Sequence, residues 1–493
     1  MQRIAEAVLQ DGTRLPYVVT ENPPNGTMKY TYFSPDRSYV VQFFKDAEAG
    51  RNAELRNRIS AIIGKYNPTI PEEKGGAKGN TEKLAEYFSD LFCWPFAVVV
   101  APEFGIVCPA YPSNYFFGEN ASNTSRLSLA GTDKKSRWFT SSVRKYLNNA
   151  EFGNFKSMLK ISISLARAVR RMHSAGLAHS DLSGNNVLID PKTGGCIIID
   201  IDGLVVPGIY PPEVVGTKGY IAPEIITSAQ YPHGDSRRCM PCIETDLHSM
   251  AVLIYEYLFK RHPFLSGKMR FPQLDPEEED FMLMGKYALF VENPYDRRNR
   301  PDDIMIPVQA FGGYIEKLFM QAFVDGLHEP KKRPTAMDWE RGLLKSWELL
   351  YPCENSDCGA EWFVLHDEKN PVCPYCRDRI KDNQIVKFRL KKEINGRKGL
   401  WVQYGETVAY NNKKLYAWHV YSDVFDDEKA SHEVLAHIVK SNGQWFIVND
   451  RIEKMRSADG KPVPMGKSAV LRNGDFFRIS EEKNGSLIEV SII

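Results

Sequence analysis

The 493-residue chain carries 63 Lys and Arg against 62 Asp and Glu, a balance too even for nucleic acid or an anionic membrane to be its main partner. Its length exceeds what one hydrophobic core serves and suggests about three domains. Nine cysteines, an odd number with four in metal-like spacing, favour a reducing cytoplasm over a disulfide framework. The longest apolar run, FCWPFAVVVA at 92–101, is about half a membrane span and contains a proline. The segment MQRIAEAVLQDGTR lacks the apolar core of a signal peptide. The sequence therefore predicts a cytoplasmic chain without a membrane segment.

In chain order, MKYTYF (28–33) and SYVVQFF (38–44) are β-rich and joined by the turn SPDR. Leu55, Ile59, Ile62 and Ile63 fall at helical spacing, with Gly64 as a stop. Residues 71–80, PEEKGGAKGN, are a flexible loop by composition. FAVVVAPEFGIVCPAYP (96–112) predicts two strands with a turn near Glu103–Gly105. Residues 118–140 are expected to be a polar, mobile insertion. Phe155, Leu159, Leu165, Val169 and Met172 mark one face of a helix that stops at Gly176. Helices dominate again over 244–350. No repeat or coiled coil is present.

The chemistry concentrates in AHSDLSGNNVLID (178–190) and GCIIIDIDGL (195–204). Phosphoryl transfer asks a protein for positioning, for metal ions that offset phosphate charge, and for a carboxylate that orients the attacking hydroxyl. Asp181 suits the last role. Asn186 can offer a neutral oxygen to Mg²⁺, and Asp200, at the exit of an isoleucine strand, a charged one. Taken alone, Asp181 and Asn186 would read as a polar helix-to-strand loop.

GTKGYIAPE (216–224), ETDLHSMAVLIYEYLFKRHPF (244–264) and KKRPTAMDWERGL (331–343) follow in order. Together these motifs resemble the protein kinase family over roughly residues 25–345. The resemblance implies an α+β, bilobal kinase-like fold, with an N-lobe over 1–110 and a C-lobe over 111–350. It implies ATP and Mg²⁺ as cofactors and transfer to Ser or Thr of a protein substrate. Asp181 becomes the catalytic-loop aspartate, His179 braces that loop, and Asn186 and Asp200 hold magnesium. Thr217 lies in the substrate-facing loop, Glu224 pairs with Arg333, and Asp246 anchors the catalytic loop.

Departures from the family pattern are informative. The loop reads His-Ser-Asp without the usual Arg, which argues against switching by activation-loop phosphorylation. Only Tyr210, Thr217 and Tyr220 carry hydroxyls between Asp200 and Glu224. The metal motif reads Asp-Ile-Asp-Gly, so Asp202 is either a second ligand or a solvated turn residue. No glycine-rich loop exists; Asn25-Gly26 is the nearest hairpin turn, which makes Gly26 the candidate phosphate-loop glycine. Gln42 stands where the phosphate-binding lysine is usual. Lys45, an odd offset along the same strand, faces the other side. Lys29, on the preceding strand, resembles the lysine of the with-no-lysine kinases and is favoured over Lys45; the remaining possibility is that neither serves. Glu54 is the best available helix glutamate. In the adenine-contacting segment CPAYP (108–112), Pro109 cannot donate, which leaves the backbone of Ala110 or Tyr111.

Cys353, Cys358, Cys373 and Cys376 have the spacing C-x₄-C-x₁₄-C-x₂-C, which fits a closed, structural Zn²⁺ ribbon over 351–382. Cys239 and Cys242, with His233 and His248 near in sequence, are either a second metal site or ordinary thiols. Strand signals at LWVQY, LYAWHVY, LAHIVKS, QWFIVND, KSAVLRNGDFFRIS and SLIEVSII predict a β-sandwich over 383–493. VLAHIVKSNGQWFIVND and LRNGDFFRI resemble a forkhead-associated domain. Val434 and Leu435 replace the Ser-Arg pair such domains use ahead of His437, so a degenerate interaction module is expected, with His437 as a packed core residue.

The domain order and the motifs GLAHSDLSGNNVLIDP and IDIDGLVVPG are similar to bacterial kinases of the tellurite-resistance-associated type. That resemblance implies a metal-dependent protein phosphatase and a von Willebrand-type domain protein as partners. Two other readings stay open: a pseudokinase scaffold, favoured by Gln42 and the missing glycine loop, and a small-molecule phosphotransferase, favoured by Asp202.

Overall fold

The computed structural model describes residues 3–21, 23, 28–206, 209, 216–232, 234–381, 385–394, 397 and 399–492. Two compact units emerge, one of Met1–Gly153, Lys160–Asp303 and Phe319–Trp339, the other of Asn154–Leu159, Ile304–Leu318 and Glu340–Ile493.

The first unit begins with β1 (Arg3–Leu9), β2 (Arg14–Val19), β3 (Lys29–Phe33) and β4 (Tyr39–Phe44), then α1 (Ala53–Ile63), α2 (Glu82–Ser89), β5 (Ala97–Ala101) and β6 (Gly105–Pro109). The strands form one antiparallel sheet in the order β2-β1-β5-β6-β4-β3. Its two edges approach each other, the Tyr17 ring of β2 lying 5.3 Å from the Tyr32 ring of β3, and Tyr39 Oη of β4 donates to Pro16 O of β2 at 2.7 Å. Alternation along the strands splits the sheet's side chains between two cores. Ala7, Tyr17, Val41, Phe43, Val99 and Val107 fill the curl. Val40, Phe44, Ile106 and Cys108 meet Leu55 and Ile59 of α1 on the other face. Asn52 caps α1 by accepting from Leu55 N.

The 71–80 segment is tied down rather than loose. Asn80 is buried and donates to Pro68 O and Ile70 O, both at 2.7 Å. Residues 118–140 likewise pack into the unit: Ala121, Leu129 and Phe139 are buried, and Lys134 forms a buried ion pair with Glu151 at 3.0 Å. Their polar composition reflects this pairing, which sequence spacing does not reveal.

Helices α3 (Arg137–Thr140) and α4 (Phe155–Ser174) precede the hairpin of β7 (Val187–Asp190) and β8 (Gly195–Ile198), and α5 (Pro223–Ser228), α6 (Ile243–Phe259) and α7 (Pro276–Met284) follow it. Helix α6 is buried from Thr245 to Phe259, as expected of a helix apolar all round.

The second unit holds a two-stranded ribbon, Leu350–Pro352 against Trp362–Val364. It also holds two four-stranded antiparallel sheets that share one buried core, with Phe388, Ile438, Ile447 and Val490 among its members. The predicted strand at LYAWHVY is mostly a short helix, Ala417–Val420. Glu348 explains the departure: its carboxylate accepts from Trp418 Nε1 at 3.2 Å and pairs with His419 Nε2 at 3.0 Å, and both side chains reach it because the backbone coils there. His437 is about one-third exposed and bound to Asp450 at 2.8 Å rather than packed in the core.

Candidate active site

Residues 179–186 connect α4 to β7, and helix α6 holds them. Asp246, buried in the first turn of α6, accepts from His179 N at 2.7 Å and Ser180 N at 3.2 Å. His173 Nε2 meets the same carboxylate at 3.2 Å. Ser180 adopts φ +63°, a conformation that these two backbone bonds stabilise. The His179 ring reaches Ile199 O at 2.9 Å, joining the loop to the residue before Asp200. Gly184 is required by close approach: a Cβ there would lie 2.7 Å from Tyr220 Oη. Tyr220 in turn donates to Glu256 Oε2 at 2.7 Å, and the predicted Glu224–Arg333 pair is bidentate, both contacts 2.7 Å.

Within this frame, Asn186 Nδ2 donates to Asp181 O and to Asp181 Oδ2, both at 2.9 Å. Asn186 Oδ1 is left without a bond among the described residues. Asp181 Oδ1 is buried and has no hydrogen-bond partner among the described residues. A bare, buried carboxylate oxygen is poised to accept from a donor brought by a ligand.

Lys29 enters from β3. Cross-strand pairing sets Thr31 opposite Gln42 and Lys29 opposite Phe44, so all four share one face. Its Nζ contacts Asp200 Oδ1 at 3.0 Å and Asp202 Oδ1 at 2.5 Å. Burial alone would lower the Lys29 pKa, but Asp202 and then Asp200 hold it far above the ordinary lysine value. Asp200 is held low chiefly by the Lys29 ammonium, against the cost of partial desolvation. Asp200 adopts the left-handed conformation, φ +63°, and its side chain is half-exposed whereas that of Asp202 is closed to solvent. Asp202 is therefore not a solvated turn residue.

Lys45 is exposed, its ammonium 5.0 Å from the Tyr30 ring centre. Gln42 binds Thr31 Oγ1 at 3.2 Å. Glu54 is exposed and forms no pair with Lys29. The Ala110 N–H is committed to Ser38 O at 3.1 Å, which leaves Tyr111 N–H, unbonded among the described residues, as the donor of that segment. The Tyr111 hydroxyl donates to Asp133 Oδ2 at 3.3 Å. Asn25, Gly26, Tyr210 and His233 lie outside the described residues. Asp202 as the lysine's partner was not legible in the sequence; an acidic residue two after a strand-end aspartate was the only signal.

In the second unit, Sγ of Cys353 and Cys376 lie 3.6 Å apart and those of Cys358 and Cys373 3.9 Å apart. All four fall within 4.8 Å of one another. Four thiolates bound at about 2.3 Å to a tetrahedral zinc are about 3.8 Å apart, so the set fits that ion. Cys239 and Cys242 join no such group among the described residues; Cys242 sits at the N-terminus of α6.

Residues 139–339 match the protein kinase domain family. The "Probable serine/threonine-protein kinase RTK1" of Saccharomyces cerevisiae is 32% identical over 134 residues, 24% of this chain and 20% of that protein. Human activin receptor type-1B is 30% identical over 132 residues, 23% of this chain and 25% of the receptor. The atypical protein kinase C of Drosophila melanogaster is 32% identical over 199 residues, 38% of this chain and 29% of that kinase. Each match thus spans less than a third of the relative's length. A rhoptry kinase from Toxoplasma gondii aligns with 70% of this chain and 84% of its own, at 13% identity and TM-score 0.41. The sequence matches support placement in the protein kinase superfamily. Among the described residues no helix is long and apolar enough to cross a membrane.

Proposed function

We propose that the chain is a serine/threonine protein kinase that uses MgATP. The observation that carries this reading is the convergence of Lys29, Asp200 and Asp202 at one point and of Asn186 and Asp181 at another, joined through His179 and Ile199. Bound MgATP would supply the transferable phosphoryl group and the charge-bridging metal. Asn186 and Asp200 offer it oxygens, one neutral and one charged. Lys29 offsets phosphate charge from the N-terminal lobe. Asp181 accepts a hydrogen bond from the acceptor hydroxyl and orients it. The Tyr111 N–H and the Pro109 carbonyl give the adenine a donor and an acceptor.

The scaffold reading gains from Gln42, yet a bare Asp181 oxygen and a buried lysine between two carboxylates are features a scaffold does not need. Four closely spaced thiols support a structural zinc in the ribbon, which suits the reducing cytoplasm that cysteine usage predicts. The β-rich tail fits an interaction module. The phosphatase and von Willebrand-type partners rest on the tellurite-type resemblance, and co-purification with each tests them. The kinase reading is tested by incubating the full chain with Mg²⁺, radiolabelled ATP and protein acceptors. Label on serine or threonine supports it, whereas label on small-molecule acceptors alone contradicts it.

A further inference from the structure

Helix α1 contains one carboxylate, Glu54, in its first turn, exposed and not paired with the lysine among the described residues. A buried ammonium still needs an anionic partner. We infer that Asp202 is the positioning residue for Lys29 and takes the place a helix glutamate would fill; this rests on the phosphotransferase reading above.

Two observations separate Asp202 from its neighbour. The Asp202 and Lys29 side chains are each 9% exposed and in contact at 2.5 Å, whereas the Asp200 side chain is 49% exposed. Asp200 is open to a cation arriving from solvent. Asp202 is not, and could ligate one only by giving up its close contact with Lys29. The two acids therefore divide the work: Asp200 releases Lys29 to meet a metal ion, and Asp202 keeps the lysine in the cleft. Both belong to the 200–203 turn that leaves β8. The lysine's placement then depends on an acid of this turn rather than on a carboxylate of α1.

The test uses the full chain and titration calorimetry with magnesium and the β,γ-imido analogue of ATP, alongside phosphate incorporation. Asp202→Asn is expected to weaken analogue binding and lower kcat/KM by at least about tenfold, the scale of one charge-assisted hydrogen bond. Asp202→Glu restores both to within about threefold, and Glu54→Gln stays within about twofold of the parent, the scale of an exposed charge. In a Lys29→Met background Asp202→Asn adds nothing further, as required of groups that act through each other. Should Asp202→Asn fold poorly, the same coupling is read from thermal melting: its destabilisation disappears once Lys29 is Met. Parent-like binding by Asp202→Asn overturns the inference. So does a loss from Glu54→Gln equal to that from Asp202→Asn, or an Asp202→Asn effect that persists in the Lys29→Met background, which would mark Asp202 as a metal ligand. If the parent protein itself does not bind the analogue, the phosphotransferase reading fails and this inference with it. Parent-like variants beside a binding parent sink the inference alone.

Discussion

Asp181 has one carboxylate oxygen bound by Asn186 and the other bare. Replacing it by asparagine keeps the shape and removes the basic oxygen. Asp181→Asn should lower phosphate incorporation at least about a hundredfold, the usual weight of a positioned base, with little change in melting temperature. Asp246 differs in kind, because it touches the loop backbone and His173 of α4 rather than the open cleft. Asp246→Asn weakens the bonds to His179 N and Ser180 N and should destabilise the fold by about 1–3 kcal/mol in denaturant titration, lowering kcat more than it changes the KM for ATP. Asp181, Asn186 and Asp200 could be proposed from spacing because they lie within 20 residues of one another on a loop and a strand end. Lys29 could only be favoured, since choosing between it and Lys45 needs the face each strand presents. Ala110 and Tyr111 could not be separated until the Ser38 carbonyl was found opposite Ala110.

Helix α6 and the loop after it show how elements hold the segment around Gly219. His262 accepts from Phe264 N and Leu265 N at Nδ1, so its proton sits on Nε2 and is donated to Gly219 O at 3.0 Å. Burial lowers its pKa from 6.5 to about 4. Between these values the unfolded chain binds a proton that the folded chain refuses. Stability should therefore fall as pH drops from 6.5 towards 4, by up to about 1.4 kcal/mol per pH unit from this group. His262→Gln should flatten that part of the stability–pH curve relative to the parent in urea titrations; an unchanged slope would refute the assignment. Strands β3 and β4 and helix α1 were legible because their patterns are strong and local. The β1–β2 hairpin carries a weaker signal, the turn Asp11-Gly12, with Gly12 at φ +86°, between alternating runs. Composition mispredicted residues 71–80, where Asn80 donates to Pro68 O and Ile70 O and Ala77 N donates to Asn67 O.

At the scale of the molecule, each unit has its own core and carries its own chemistry. The kinase-like site belongs to the first unit and the four-cysteine cluster to the second. The cysteine spacing was legible because tight turns and metal geometry are local, whereas the contacts of Glu348 with residues some 60 to 70 positions later depend on tertiary folding that no pattern announces. Zinc bound at the cluster should be released by a strong chelator with one equivalent per chain, lowering the melting temperature of the second unit while its readdition restores it. Metal analysis finding no zinc, or a melt indifferent to chelation, would contradict a structural site. The central claim is that phosphoryl transfer relies on Lys29, supported by acids of the 200–203 turn. The most direct measurement compares ATP-dependent phosphate incorporation by Lys29→Met and Lys45→Met in the full chain. The account predicts a loss of at least about a hundredfold for Lys29→Met, a charge-stabilising group at the reacting phosphates, and near-parent activity for Lys45→Met; the reverse pattern would contradict it.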